Sequence, residues 1–464
     1  MTANTMAFDG EKAYRHAEEL SAGIGARLTG SPSEHKAAAY IAKAFRSFGL
    51  KVSQQRFDSI TYDNRKCVFE VRQGRRWRQI EAEPVLLSKS TPPDGIEGEV
   101  FYAESGQLDY LTPAMKDKIV VTCGAIRGED RHRVIRLGAK AIVQIDDAIR
   151  HGSRRAVHYD DERQIYGNLP MVTLRHLDGL DMIRQGAKRL RLVLRNTEKK
   201  SYSLNVIGEK PGTDFADEIV VICGHYDSHW RCPGACDNAG GSAVMMELAR
   251  VLAARPSRRT LRFIAFGAEE TGLFGSRFYA NELLRKDKRE KKAKGFNKKV
   301  DRTERERHRL TFNFDMHGGT LGQFHATFTG PEDLGASMRL LACEIGTPCE
   351  TKKMPMSSDG TPLAAVGIPN VQYARRSPTN SFGHQGGDEI KYLSPDALGA
   401  AGRFAELYLR RYVTDAPRFA FAREIPDDQV EQVKEYFRGH RMTMPGEDDA
   451  KAPTGRRANP RAKK

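Results

Sequence analysis

IVVIC at Ile219–Cys223, GSAVMMELARVLAA at Gly241–Ala254 and TLRFIAF at Thr260–Phe266 read as strand, helix, strand, and this stretch decides the fold. IVVIC is continuously apolar, without the alternation of a half-exposed strand, so it belongs in a sheet covered on both faces. Leu310–Phe314 and Pro369–Ala374 read as two more buried strands further along. Buried strands alternating with helices give an open, largely parallel sheet packed between helices.

Working outward, Glu34–Phe48 (EHKAAAYIAKAFRSF) spaces its apolar residues as a helix, with Ser33 as cap and Gly49 as stop. Leu50–Phe57 and Cys67–Val71 read as two strands separated by a turn-rich stretch. From Pro84 to Val193 short apolar runs, such as Ile119–Thr122 and Ala141–Ile145, are broken by Gly and Pro. That texture predicts an inserted, mainly-β module with one short helix within Asp130–Gly138. Helices are expected at Asp396–Tyr412 and Gln429–Phe437, followed by a polar tail.

The chain has 464 residues, 39% hydrophobic and 29% charged, an ordinary globular composition large enough for two domains or one with a large insertion. No apolar run is long enough to span a bilayer, and MTANTMAFDGEKAYRHAEEL lacks the apolar stretch of a secretory signal. Seven cysteines, an odd number, argue against a disulfide framework and for a reducing cytoplasm. The net charge of +15 sits in two segments: Arg285–Arg309 carries +8 and Lys451–Lys464 carries +6. The remainder is near neutral, so a solvated surface and a tail account for the charge better than nucleic-acid binding does.

Open α/β sheets bind ligands at the carboxyl ends of their strands. Here IVVIC runs into His225 and Asp227, RFIAF into Glu269 and Glu270, and LTFNF into Asp315. The strand at Pro369 leads by a loop to His384, and Asp237 precedes the Gly241 helix. Two histidines with several carboxylates suit a divalent ion, and zinc accepts N and O donors readily. Adjacent Glu269 and Glu270 repel unless a cation or a raised pKa relieves them. One binding metal and the other moving a proton would do so.

The stretch from Val220 to Ala280, with GHYDS, GACDNAGGSAVMMELARVL and RTLRFIAFGAEETGLFGSRFYA, resembles the co-catalytic di-zinc aminopeptidase family. That family includes aminopeptidase Y, bacterial leucyl aminopeptidases and glutamate carboxypeptidase. NFDMHGG at Asn313–Gly319, SSDGTPLAAVGIPN at Ser357–Asn370 and FGHQGGDE at Phe382–Glu389 are similar to its later motifs, in order. ARLTGSPSEHKAAAYIAKAFRSFGLKV at Ala26–Val52 resembles its opening helix, while KDKIVVTCGA and RLGAKAIVQIDD resemble the protease-associated domain often inserted in it. The resemblance implies a three-layer α/β/α sandwich with a mostly parallel mixed sheet, formed by residues 1–83 and 200–415. It also implies an inserted protease-associated-like domain over 84–199, leaving a helix and basic tail over 416–464.

By the same resemblance, Asp237 bridges two zinc or other divalent ions, His225 and Asp315 complete one site, and Glu270 and His384 the other. Asp227 orients His225, and Glu269 is the general base. The implied activity is peptide-bond hydrolysis with release of N-terminal residues from a peptide substrate. A carboxypeptidase or other amide hydrolase, a glutaminyl cyclase, and a non-catalytic receptor or scaffold are the alternatives. The chain departs from the pattern between Asp227 and Asp237, where His229, Trp230, Cys232 and Cys236 stand; the two thiols read as reduced loop residues with no metal role. Gln385-Gly386-Gly387 replaces a Thr-containing run after His384, and the basic Arg285–Arg309 stretch is longer than the family pattern.

Overall fold

The computed structural model describes residues 7–447 except 151, 153 and 154. The basic segment Lys451–Lys464 lies outside the described residues.

Eight strands build the body: β1 (Lys51–Gln73), β2 (Arg189–Lys210), β3 (Phe215–His225), β4 (Arg259–Phe266), β5 (His308–Phe314), β6 (Gln323–Thr329), β7 (Cys349–Lys353) and β8 (Asn370–Arg376). Their spatial order is β7-β6-β8-β5-β3-β4-β2, with β1 along β2. The pairs β3/β4, β3/β5, β5/β8 and β6/β7 are parallel, whereas β4/β2, β6/β8 and β1/β2 are antiparallel. The sheet is therefore mixed, with a parallel centre.

The uninterrupted apolar run of β3 is explained by what covers it. Val220 and Ile222 face a core shared with α1 (Gly10–Glu18), α2 (Pro32–Ser47), α3 (Gly241–Ala253), α5 (Glu332–Ile345) and α6 (Pro395–Leu409). Val221 and Cys223 face the opposite core, built with Tyr279, Ala280 and Leu283 of α4 (Phe274–Glu290) and with Leu363, Val366 and Ile368. Successive strand residues point to opposite faces, so a strand roofed on both sides needs every position apolar. This is the three-layer α/β/α sandwich.

Three expectations change. Lys51–Gln73 is one strand and not two: it pairs with β2 from Lys51 opposite Glu209 to Val71 opposite Leu190. The turn-rich residues are absorbed by a register shift between Asn64 and Lys66, a bulge that leaves the ladder running. The cap of α2 is Ser31, whose side chain accepts from Glu34 N, and Pro32 follows as the first helical residue, a position where its missing N–H costs nothing. The stretch from 84 to 199 holds three α-helices, at Gly128–Arg136, Asp160–Tyr166 and His176–Arg184, where one was expected.

Within that stretch the strands Ile96–Tyr102, Ile119–Cys123, Ala141–Ile145, Met171–Leu174 and Glu83–Leu86 continue the ladder outward from the first residues of β2. They enclose apolar clusters of their own around Val121, Val143 and Met182 on one face and Val120, Ile142 and Val134 on the other. A final helix, α7 (Asp427–His440), returns to the body through Val433 and Phe437, which, with Met442 just beyond the helix, cluster with Leu273 and Ala364. Among the described residues no helix is long and apolar enough to cross a membrane.

Candidate metal centre

Strand β3 ends at His225, and β4 ends at Phe266, one residue before the Gly267–Leu273 loop that carries Glu269 and Glu270. Asp315 directly follows β5. Asp237 lies in the tight segment Ala235–Gly240 ahead of α3, where the Asp237–Asn238 peptide is cis. Asn238 ties that segment to the end of β5, donating to Phe314 O at 2.9 Å and accepting from Met316 N at 3.1 Å. Gly241 is needed there because a Cβ would stand 2.6 Å from Phe314 O. Ala268, Met316 and His384 all hold positive φ, of 56°, 59° and 60°. Such backbone strain costs on the order of 1 kcal/mol per residue and gathers where a site fixes its side chains.

The structure brings His225, Asp237, Glu270, Asp315 and His384 together in two halves around one carboxylate. His225 Nε2 is 3.3 Å from Asp237 Oδ1 and 3.6 Å from Asp315 Oδ1. His384 Nε2 is 3.3 Å from Asp237 Oδ2 and 3.3 Å from Glu270 Oε2. Asp227 is fully buried, and its oxygens accept from Glu269 N at 3.0 Å and Glu270 N at 3.2 Å while Oδ1 stands 3.5 Å from His225 Nδ1. It thereby links the β3 end to the β4 loop. Glu269 comes within a common donor-atom sphere with His225 and Asp315.

Charge is unevenly relieved in this space. Burial would raise both Glu270 and Asp237, but His229 and His384 hold Glu270 well below the ordinary carboxylate range. For Asp237, His225 and His384 overcome both burial and the Glu270 charge, bringing it down to about 2. Glu269 moves the other way: burial pushes it well up, and the neighbouring Glu270, Asp359 and Asp315 add to that against His225. Two adjacent glutamates thus part in acidity, as their conflicting charges require. Glu270 Oε1 and Asp315 Oδ1 are buried without a hydrogen bond, and unpaired buried carboxylate oxygens of this kind fit a divalent cation.

Several contributors escaped the sequence reading. Ser358 Oγ donates to Asp315 Oδ2 at 2.7 Å. Asp388 accepts from Cys236 N at 2.8 Å and Asp237 N at 3.0 Å, fixing the bridging segment, and burial raises its carboxyl to about 6. Both stand inside the SSDG and GGDE motifs, so their neighbourhood was visible although their contacts were not. Cys232 donates to Gln385 O and Cys236 to Asn380 Oδ1, leaving neither thiol among the candidate metal groups.

Above the donors a cavity of about 380 Å³ opens, walled by Met356, Ser357, Arg376 and Asn380 among others. Arg150 and Tyr159 reach it from the stretch between 84 and 199, and His440 and Met442 reach it from the C-terminal segment. No local signal marks these four as wall residues.

Residues 205–409 match the model of peptidase family M28. Over that segment the chain is similar to peptidase family M28. Aminopeptidase YwaD of Bacillus subtilis is 28% identical to this chain over 415 residues, 85% of this chain and 83% of that protein. The probable lipoprotein aminopeptidase LpqL of Mycobacterium tuberculosis is 28% identical over 276 residues, 57% of this chain and 52% of that protein. Among solved structures, BSAP, a zinc aminopeptidase from Bacillus subtilis, superposes with a TM-score of 0.68 at 26% identity, covering 91% of this chain and 99% of BSAP. A peptidase M28 precursor from Shewanella amazonensis shares the fold at a TM-score of 0.73 and 19% identity. All the proposed donor residues fall inside the matched M28 segment.

Proposed function

We propose that the protein is a zinc-dependent aminopeptidase holding two ions, with His225, Asp237 and Asp315 as donors to one and Asp237, Glu270 and His384 to the other. The observation that carries this reading is the Asp237 carboxylate, one oxygen 3.3 Å from His225 Nε2 and the other 3.3 Å from His384 Nε2. When bound, zinc supplies Lewis acidity and lowers the pKa of water towards 7. Glu269, raised by burial, takes the proton of the attacking water and hands it to the departing amine. Asp227 acts beside it by holding the Glu269 and Glu270 amides and the His225 ring in register.

The names of the relatives favour release of N-terminal residues. Arg150 and Arg376 in the cavity wall support a second reading, carboxypeptidase action, because guanidinium groups suit a free α-carboxylate. Both are already paired, Arg150 with Asp146 and Asp147 and Arg376 with Glu350, so the first reading leads. Residues 84–199 are proposed to form a protease-associated-like domain. A reducing, cytoplasmic setting is proposed from the thiols, of which Cys343 is exposed.

The test combines zinc content by elemental analysis with a peptide panel carrying free, acetylated or amidated ends. Two zinc per chain and cleavage abolished by N-acetylation are expected. Cleavage that survives N-acetylation but is abolished by C-amidation would transfer the assignment to carboxypeptidase; zinc-free protein with full activity would overturn both.

A further inference from the structure

We propose that His229 is a protein donor to the Glu270/His384 ion, closing that half of the centre with four side chains. This rests on the zinc reading above and goes beyond its donor set.

His229 sits in the loop after β3, 4% exposed, with Nε2 3.1 Å from Glu270 Oε2. Its ring lies against that of His384, centroids 3.9 Å apart at 34°. The two imidazoles therefore direct their Nε2 atoms at the same carboxylate oxygen from neighbouring positions. His229, Glu270 and His384 each offer a ligand atom within one 4.8 Å sphere.

The spacing fits donors that share one ion. Four N and O donors placed tetrahedrally at about 2.0–2.1 Å from a zinc ion stand about 3.3 Å from one another. The observed separations are 3.1 Å for His229–Glu270, 3.3 Å for Glu270–His384 and 3.3 Å for His384–Asp237. His229 Nδ1 is buried and makes no hydrogen bond, so Nε2 is the polar atom through which the residue meets its surroundings.

The two halves then differ. The Glu270 half has four protein donors, the complement of a closed zinc site, while in the His225 half Asp237 and Asp315 are the other donors and Glu269, the proton carrier, stands within reach of them. Tight retention belongs to the first half and exchange to the second.

Zinc binding by chelator competition in wild type, His229→Ala and His229→Gln tests this, with circular dichroism of the metal-free proteins as a fold control. The Gln variant preserves size and an N–H donor towards Glu270 while removing the imidazole ligand. Wild type should show one tight and one weaker zinc, and both variants should lose at least about 100-fold in the tight step, beyond the span of about 10–100-fold for lost supporting contacts. His229→Gln binding the tight zinc within about threefold of wild type would overturn the inference and leave His229 a hydrogen-bond donor to Glu270. Wild type that binds no zinc would overturn this inference and the zinc reading together.

Discussion

Arg27 is completely buried, and its guanidinium donates to five carbonyls: Leu20, Gly25, Tyr226, Pro233 and Gly234. Three of these belong to the loop between His225 and Asp237, so one side chain clamps the segment on which the bridging carboxylate rides. Arg27→Ala strands buried acceptors and should cost at least about 3 kcal/mol of stability, with weaker zinc binding; Arg27→Lys, lacking the planar fork, should rescue little. Denaturant unfolding and chelator competition measure both, and a variant as stable as wild type would contradict the clamp. Glu269→Gln should behave differently, lowering kcat by about 10²–10⁴-fold with zinc content and KM nearly unchanged, since a proton carrier is lost and no proposed ligand is. Steady-state kinetics beside elemental analysis decides it. His225, Glu270 and Asp315 were legible because strand ends announce them, and Asp237 and His384 because they stand in motifs that follow in order. His229 was not, because a lone loop histidine carries no pattern until a ring from a distant segment, His384, is laid on it.

At the scale of elements, buried strands were easier to read than edges. Strands β3 and β4 betray themselves by the apolar runs Ile219–Cys223 and Phe263–Phe266, whereas β6, next to the edge, and β7, at it, mix polar residues into their pattern and escaped notice. The length of β1 was hidden for a related reason: its middle carries Asp63 and Asn64, which locally favour a turn but lie in a ladder held by β2. Helix α7 was legible as a helix, but its docking was not. Phe437 packs on Leu273, in the loop after Glu270, and Ala364, in the short helix after Asp359, while Tyr436 Oη donates to Ser357 Oγ at 2.8 Å. Phe437→Ala should cost about 3 kcal/mol or more and, by loosening the cavity wall, raise KM more than it lowers kcat. Thermal unfolding with kinetics on one peptide tests the pair of effects; a stability loss with KM untouched would separate the helix from the cavity.

Over the whole molecule, the ribbon of β1 and β2 spans both the catalytic sheet and the strands between residues 84 and 199, which the sequence showed as a change of texture without revealing the continuous ladder. Two fully buried histidines sit in these separate regions and tie overall stability to pH. His308, at the start of β5, is 2.8 Å from Tyr279 Oη through Nε2 and 2.7 Å from Glu304 O through Nδ1; burial, with Arg262 beside it, brings it down to about 3. His158 is 3.2 Å from Asn168 Oδ1 through Nδ1, and burial with Arg131 nearby brings it down to about 3 as well. Both are neutral when folded but take up a proton near pH 6.5 when unfolded, so between these limits the unfolded chain binds more protons. Their contribution is complete above about pH 6.5 and is lost as pH falls towards about 3, on the order of 1 kcal/mol per pH unit for each. Carboxyls elsewhere titrate in the same window, so the observable is the difference from a His158→Gln/His308→Gln double variant, in which their effects cancel. Chemical denaturation from pH 7 to 4.5 should show wild type losing its advantage over the variant steadily as acid is added. A gap independent of pH would mean that the two imidazoles are not held neutral by the fold.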